Sequence, residues 1–598
     1  MARRNRNRSS TKVLLLLALV AAVTAQTYGS YEQPGDNTNP GNGGTNPGTP
    51  SNPGNGGTTP GNCPTCPPGG KPGQVCEDPL TEHHPGSKQL GTWPEYKGAN
   101  QKTRDGCRPK KNFIFMVSDG FGTASETIAR EFYQYKQLGT NEAALADVDS
   151  ILPLDTLLVG AVRTKSSDSW ITDSASAATA YSCGIKTFNA GIGVDPKNRP
   201  CATVLEAAKA AGYTTALVAT SRITHATPAG WSAHVVERDW EDIIAAQQIG
   251  DNVLGRSVDL MFGGGRKFFI PKSKSGSGRN DERDLFVEAK EKYGWKSIVQ
   301  SRADFLKLTG TKADLPAMGI FASSHMAYTI DRNATAEPSL AEMTHTALST
   351  LADATSDCDS PGFFIMIEGS RIDHAGHTND VAAHVHDILA YQEAVSIVKS
   401  FTKNNPGTVA LSVSDHETGG VTVASQPDLT KDSGSFYKWN PWILDGVKAS
   451  IESFDTTVAK YNGTDFKGFI TKLLADKQGI NDLTDAEIQL LAKAVNDQQK
   501  KTYPGTDQVD WALSTLIAKR ALVGFTTHGH TGMDVNLYAI NAPGLRGNMD
   551  NTQLAHYSAE YLGVTDVQKK LNERVARQKV TLRKRGEFVN EEVKHHKH

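Results

Sequence analysis

Short apolar runs that end on or beside polar residues constrain this chain most. They are Asn112–Val117, Tyr213–Ala219, Gly362–Glu368, Gly407–Val413 and Ala521–Thr526. Each is too short to span a membrane and too uniformly apolar for a strand with one wet face, so each reads as a strand buried on both sides. Segments with helical spacing lie between them, such as Cys201–Ala211 and Ala382–Ser400. Buried strands alternating with helices predict an α/β domain, a central, largely parallel sheet flanked by helices on both faces. Residues 420–520 break this pattern. They are polar and turn-rich, helical near Ala486–Ala492, and read as a smaller region inserted in the sheet domain.

The ends of the chain have a different texture. Arg3, Arg4, Arg6, Arg8 and Lys12 precede the apolar run Val13–Ala22, and Val23-Thr24-Ala25 offers the small residues a signal peptidase reads. Residues 1–25 therefore resemble a secretory signal cleaved after Ala25, which implies an extracellular or cell-surface protein. The competing expectation is a short N-terminal anchor and placement on the vacuolar membrane. Against it, the run falls short of the ~20 residues a spanning helix needs. Residues 26–107 are a low-complexity spacer rich in Gly, Pro and Asn, with cysteines, and can bury little apolar surface. Residues 566–598 read as a charged, basic tail, with Arg574, Arg577, Lys579, Arg583, Lys584 and Arg585 on a solvated face. A net charge of −2 gives no footing for a nucleic-acid partner. Seven cysteines suit an oxidising compartment. Cys63, Cys66, Cys76 and Cys107 are expected to form a local disulfide framework, while Cys183, Cys201 and Cys358 fall within the globular part. Asn333-Ala-Thr and Asn462-Gly-Thr are glycosylation acceptors for a chain on the secretory route.

The residues that can carry chemistry stand just where the strands end. Asp119 comes after the first apolar run, Glu368 ends another, Asp415-His416 end a third, and His528 and His530 come after the last. In open α/β sheets, ligands bind at the carboxyl ends of strands. One Asp there is ordinarily a turn or cap. A set this rich in Asp and His, joined by Asp373 and His377 four apart on one helical face, predicts a multinuclear metal site. Nitrogen and oxygen ligands together suit zinc, and oxygen alone suits magnesium. Ser174, in the small-residue run Asp173-Ser-Ala-Ser-Ala-Ala178, is a candidate nucleophile. The Gly-x-Ser-x-Gly elbow is absent, so no neighbouring base is expected and a metal must activate the serine.

In order along the chain stand Asp119-Gly, Asp173-Ser174-Ala, His225-Ala-Thr-Pro-Ala229 with Arg238, Glu368-Gly-Ser-Arg-Ile-Asp-His-Ala-Gly-His377, Asp415-His416 and Thr527-His-Gly-His530. With these motifs residues 108–565 resemble the alkaline phosphatases, nearest the fungal repressible, vacuolar type. The resemblance implies an alkaline-phosphatase-like fold in which residues 420–520 form a crown-like insertion, and a site with two zinc ions and one magnesium ion. It implies Asp373, His377 and His530 on the first zinc, Asp415 and His416 on the second, and Asp119 shared between the second zinc and the magnesium. Thr227 and Glu368 complete the magnesium set. Ser174 matches the nucleophile, Arg238 the guanidinium that holds phosphate, and Asp173 the carboxylate that orients it. His225 and His374 match positions that tune the third metal and the phosphate site. His528 is a rival to His530 as ligand, and Cys183 matches a buried structural cysteine.

The implied reaction is metal-dependent hydrolysis of small phosphate monoesters at alkaline pH through a covalent phosphoserine, by a homodimer. Rival readings are another enzyme of the same metal-core superfamily, a phosphodiesterase or a sulfatase, and a non-enzymatic metal-bound surface protein. The sulfatase signature Cys/Ser-x-Pro-x-Arg is absent at Ser174–Ala178, and a binding module would need no Ser174.

Overall fold

Successive residues of the apolar runs bury on opposite sides of one sheet, as the two-residue period of a strand requires. The computed structural model describes residues 92–101, 107, 109–139, 151–426, 437–500 and 508–576. The expected signal, most of the spacer with Cys63, Cys66 and Cys76, and the tail beyond residue 576 lie outside them. In chain order the strands are β1 (Asn112–Val117), β2 (Leu158–Arg163), β3 (Thr214–Arg222), β4 (Leu260–Gly264), β5 (Ser297–Val299), β6 (Ala317–Ile320), β7 (Phe363–Glu368) and β8 (Thr408–Val413). The two-residue strands β9 (Glu417–Thr418), β10 (Thr422–Val423), β11 (Val523–Gly524) and β12 (His530–Thr531) come next, then β13 (Val535–Ile540) and β14 (Gly547–Asp550). Ten of these form one sheet in the order β14-β2-β13-β8-β1-β7-β3-β4-β6-β5. Its pairings are parallel except for the two made by β13. The expected α/β class, a largely parallel sheet, is what the chain forms.

Phe113, Phe115, Leu217, Phe364, Met366 and Leu411 bury on one face, against helices Val204–Ala210 and Asn551–Leu562. Ile114, Met116, Ala216, Val218, Ile365 and Ile367 bury on the other, against Leu340–Ala354 and Val381–Asn404. The first of these helices starts at Val204 rather than Cys201 because Thr203 caps it: Glu206 N donates to the Thr203 hydroxyl and Thr203 N to the Glu206 carboxylate.

Two expectations are corrected. The run Ala521–Thr526 is not a strand of the sheet. Helix Gln508–Ala521 ends in it, Leu522 turns the chain at φ 60°, and only Val523–Gly524 pairs, antiparallel to β10 and outside the sheet. Its apolar residues bury in a separate core with Leu444, Ile451, Phe454, Leu474 and Leu513, residues that lie between the neighbouring strands β8 and β13. Cys107 does not join a local framework but bridges to Cys358, 251 residues away, and Cys183 bridges to Cys201. Their Cα separations of 4.9 and 6.0 Å are within disulfide reach. Asn333 and Asn462 are exposed. Among the described residues no helix is long and apolar enough to cross a membrane.

Candidate active site

Parallel pairing of β1 with β7 and β8 brings Val117 level with Glu368 and Val413, so the carboxyl ends of three adjacent strands release Asp119, Glu368 and Asp415-His416 at one place. Gly120, at φ +77°, lets the chain turn there. A Cβ at Gly120 would lie 2.6 Å from the Asp373 Cα, so only glycine permits helix Arg371–His377 to approach this closely. That helix sets Asp373 and His377 on one face, with His377 Nε2 3.4 Å from Asp373 Oδ1. β12, paired to β9 with His530 opposite Thr418, delivers His530 Nε2 to 3.5 Å from the same oxygen.

The imidazole tautomers are set by their partners. Nδ1 of His377 lies 2.6 Å from the His528 carbonyl and Nδ1 of His530 lies 2.8 Å from the Thr172 carbonyl. A carbonyl can only accept, so both Nδ1 atoms carry the proton and, in the neutral rings, both Nε2 atoms carry a lone pair. The Thr418 hydroxyl donates to Asp373 Oδ1 at 2.6 Å and lies 3.2 Å from His416 Nδ1, which fixes the His416 ring the same way. His416 Nε2 then faces Asp415 Oδ2 at 3.2 Å and Asp119 Oδ1 at 3.6 Å. The His416 and His530 rings stack with centroids 3.5 Å apart, so the two expected zinc sets are contiguous. Ligand atoms of Asp119, Asp415 and His416 lie within 4.8 Å of one another, and so do those of Asp373, His416 and His530.

Electrostatics give the same picture. Both oxygens of Asp119, Oδ2 of Asp415 and Oε1 of Glu368 are buried and accept no hydrogen bond within the described residues. Burial, then the charges of Asp415, Asp373 and Glu368, raise the Asp119 pKa well above the usual carboxylate range. Burial pushes Glu368 up to about 7, with the Thr227 hydroxyl among the groups opposing it, and burial and Asp373 push Asp415 to about 6. Buried carboxylate oxygens without donors, beside imidazole nitrogens, are a donor set that fits divalent cations.

Ser174, 1% exposed, is the first residue of helix Ser174–Cys183, and Asp173 caps it by accepting from Ser176 N at 2.9 Å. The serine hydroxyl thus sits at a helix N-terminus, where peptide dipoles favour negative charge. All ten residues of this helix are buried, and its small side chains let helix Ala226–Ser232 pack closely: a Cβ on Gly230 would lie 2.6 Å from the Ala178 Cβ. Ser174 Oγ lies 3.1 Å from His416 Nε2, a contact closed across 242 residues that no local motif could show and that sets the serine beside the nitrogen expected to hold the second zinc. Asp173 Oδ2 accepts from Arg238 at 3.1 Å and from Ala190 N at 2.8 Å. The second guanidinium arm reaches His225 Nε2 at 3.2 Å. His374 lies against His225, with ring centroids 5.3 Å apart.

The rivals His528 and His530 stand in different surroundings. His528 stacks on Trp511 with centroids 4.6 Å apart and directs Nδ1 to the His377 carbonyl at 2.8 Å, so its ring packs outside the cluster. Sequence reasoning missed Thr418 and His325. Thr418 lies two residues after His416, on the same side of an extended chain, and that spacing could have found it. His325, in the loop after β6, packs against both His225 and His374 with no spacing signal.

A family model described as alkaline phosphatase matches residues 110–564. The alkaline phosphatase of Schizosaccharomyces pombe is 41% identical over 482 residues, 80% of this chain and 85% of that protein. The repressible alkaline phosphatase of Saccharomyces cerevisiae is 41% identical over 77% of this chain and 82% of its own length. Among solved structures, the cold-active alkaline phosphatase of the psychrophile Shewanella sp. is 28% identical, with a TM-score of 0.61 over 75% of this chain and 99% of that one.

Proposed function

This chain belongs to the alkaline phosphatase family and is an enzyme that hydrolyses phosphate monoesters, and on that premise we propose that it works through a covalent phosphoserine on Ser174. The observation that carries this reading is Ser174 Oγ at a helix N-terminus, beside the buried Asp119, Asp415 and His416, with Arg238 fixed by Asp173 on the same helix. Two zinc ions would be held by Asp373, His377 and His530 and by Asp119, Asp415 and His416, and a magnesium ion by Asp119, Thr227 and Glu368. When bound, they supply Lewis acidity that lowers the pKa of the serine and of water and offsets charge on the leaving oxygen.

The chain's own residues do the rest. Arg238 donates to two non-bridging oxygens of the phosphoryl group, a pair of bonds that a lysine could not make. Ser174 Oγ gives up its proton and attacks phosphorus in line, the bond to the alcohol oxygen breaks, and that oxygen leaves with the electron pair and takes up one proton, which balances the one lost. Water, losing a proton, then attacks the phosphoserine; the Ser174 Oγ–P bond breaks, Oγ leaves with the electron pair and regains a proton, and inorganic phosphate is released. The helix N-terminus under Ser174 favours the negative charge passing through Oγ in both steps.

The reading extends to the whole chain. Residues 1–25 act as a secretory signal, so the mature protein starts at Gln26 outside the cell or on its surface. The alternative is an anchored chain on the vacuolar membrane, and N-terminal sequencing of the mature protein separates the two. Residues 26–107 serve as the spacer of a catalytic domain over 108–565, with 420–520 inserted in it and a basic tail over 566–598. The protein works as a glycosylated homodimer, which sedimentation before and after deglycosylation tests. For the mechanism, Ser174→Ala is assayed on p-nitrophenyl phosphate at alkaline pH, with chelation and add-back of zinc and magnesium on the parent. Activity that survives the substitution rejects the serine; activity indifferent to chelation rejects the metals.

A further inference from the structure

The chain reaches Ser174 with no strand or helix to hold it, since residues 164–173 belong to neither. One side chain from a different turn grips the end of this approach. Asn189 Nδ2 donates to the Ile171 carbonyl at 3.1 Å, and Asn189 Oδ1 accepts from Asp173 N at 3.1 Å. These two groups flank Thr172 and point to one side of an extended chain, where a neighbouring strand would bond them. One asks for a donor and the other for an acceptor. A primary amide carries both on one carbon, whereas a carboxylate has no donor and an alkyl group has neither. The Ser176 hydroxyl lies 3.3 Å from the same Oδ1.

The next residue adds a second hold. Ala190 stands at φ 75°, a conformation that an L-residue adopts at a cost, and from there it donates its N–H to Asp173 Oδ2 at 2.8 Å. Asp173 thus has its main chain held by Asn189 and its carboxylate by Ala190, on the oxygen that also takes the Arg238 guanidinium at 3.1 Å. The gripping turn is itself anchored. Asn189 N donates to Asp168 Oδ1 at 3.0 Å, and the Thr179 hydroxyl, in the serine's own helix, donates to the Gly191 carbonyl at 3.1 Å and accepts from Gly193 N at 2.9 Å. None of the residues that Asn189 grips belongs to the expected metal ligands.

We propose that Asn189 is a positioning residue for phosphoryl transfer. By bridging Ile171 and Asp173 it fixes the Asp173 carboxylate, and through that carboxylate the direction in which Arg238 meets the phosphate. The proposal rests on the reading that Arg238 holds the reacting phosphate.

The test is competitive inhibition by inorganic phosphate, measured on the metal-loaded, full-length protein. Its Ki does not depend on how much of a variant folds, so a purely structural role would leave it unmoved. Asn189→Ala should raise Ki about 10-fold, the scale on which a misaligned charge-assisted pair of bonds weakens binding. Asn189→Leu keeps the shape without the polar atoms and should show the same rise; a Ki restored by leucine overturns the proposal, because packing would be the cause. In the Arg238→Ala background, adding Asn189→Ala should raise Ki by less than about threefold further, since the two residues act as one unit. An equal rise in both backgrounds overturns the proposal, as does an unchanged Ki in Asn189→Ala, or loss of bound zinc from that variant by elemental analysis. A Ki indifferent to Arg238→Ala is a different result, and rejects the assignment of Arg238 on which the proposal stands.

Discussion

The Nε2 atoms of His377 and His530 face each other across 3.1 Å, and in the neutral rings both lack a proton because each ring spends its Nδ1–H on a backbone carbonyl. Two lone pairs this close repel unless a cation lies between them. Chelation should therefore lower the thermal unfolding midpoint, and zinc should restore it where magnesium alone does not, since nitrogen ligands favour zinc. A ligand at about 1,000 times its Kd adds about 4 kcal/mol to the folded state, enough to move the midpoint measurably. A midpoint indifferent to chelation would contradict the metal assignment.

Arg238 is held between Asp173 and His225 by one contact on each arm. Arg238→Lys keeps the charge but loses the planar fork. Its kcat/KM on p-nitrophenyl phosphate should fall about 100-fold, on the scale of losing a strong charge-assisted pair of bonds. Steady-state kinetics check this, and a loss under threefold would place the phosphate elsewhere.

Helices Ser174–Cys183 and Ala226–Ser232 touch at Gly230, where an added methyl would sit 2.6 Å from the Ala178 Cβ. Gly230→Ala should cost about 1–3 kcal/mol through overpacking. It should also lower kcat, because the helix it pushes carries Ser174. Denaturant titration and kinetics on the same sample measure both; loss of stability with unchanged kcat would mean that the serine does not move with its helix.

Asp387 is buried, takes hydrogen bonds from Thr329 N and the Thr329 hydroxyl, and has its pKa raised by burial from 3.8 to about 7. Between these values the folded protein holds a proton that the unfolded chain has lost. This contribution is complete below pH ~4, is lost as pH rises toward ~7, and is level above. Asp387→Asn has no such titration. Its stability relative to the parent should grow from pH 4 to 7 in urea titrations, and parallel pH profiles for the two proteins would refute the assignment.

Much of this was legible in the sequence because the most buried strands are uniformly apolar. β1 spans Asn112–Val117 as read, and β7 and β8 begin one residue late. Strands β2, β5 and β14 went unread because their burial is partial and their side chains mixed, as in the exposed Leu158 and the half-buried Ser297–Val299, and β4 and β6, buried throughout, went unread because their runs are short and carry glycine. The error at Ala521–Thr526 has another cause. Ala521, Val523 and Phe525 are apolar because they pack on the inserted helices, and a short apolar run does not say which core it enters. At the site, Asp119, Glu368, Asp415 and His416 were legible because strand ends mark it. The Ser174–His416 contact, the Cys107–Cys358 bridge and the placement of His325 were not, since each depends on separations that only the folded sheet closes.

The central claim is that phosphate passes through Ser174. The most direct measurement is to mix the metal-loaded enzyme with a phosphate monoester labelled in its phosphoryl group, quench in acid within one turnover, and map the labelled peptide. The mechanism requires label on Ser174 in the parent and none in Ser174→Ala. Label on another residue, or full turnover with no label on the chain, would contradict it.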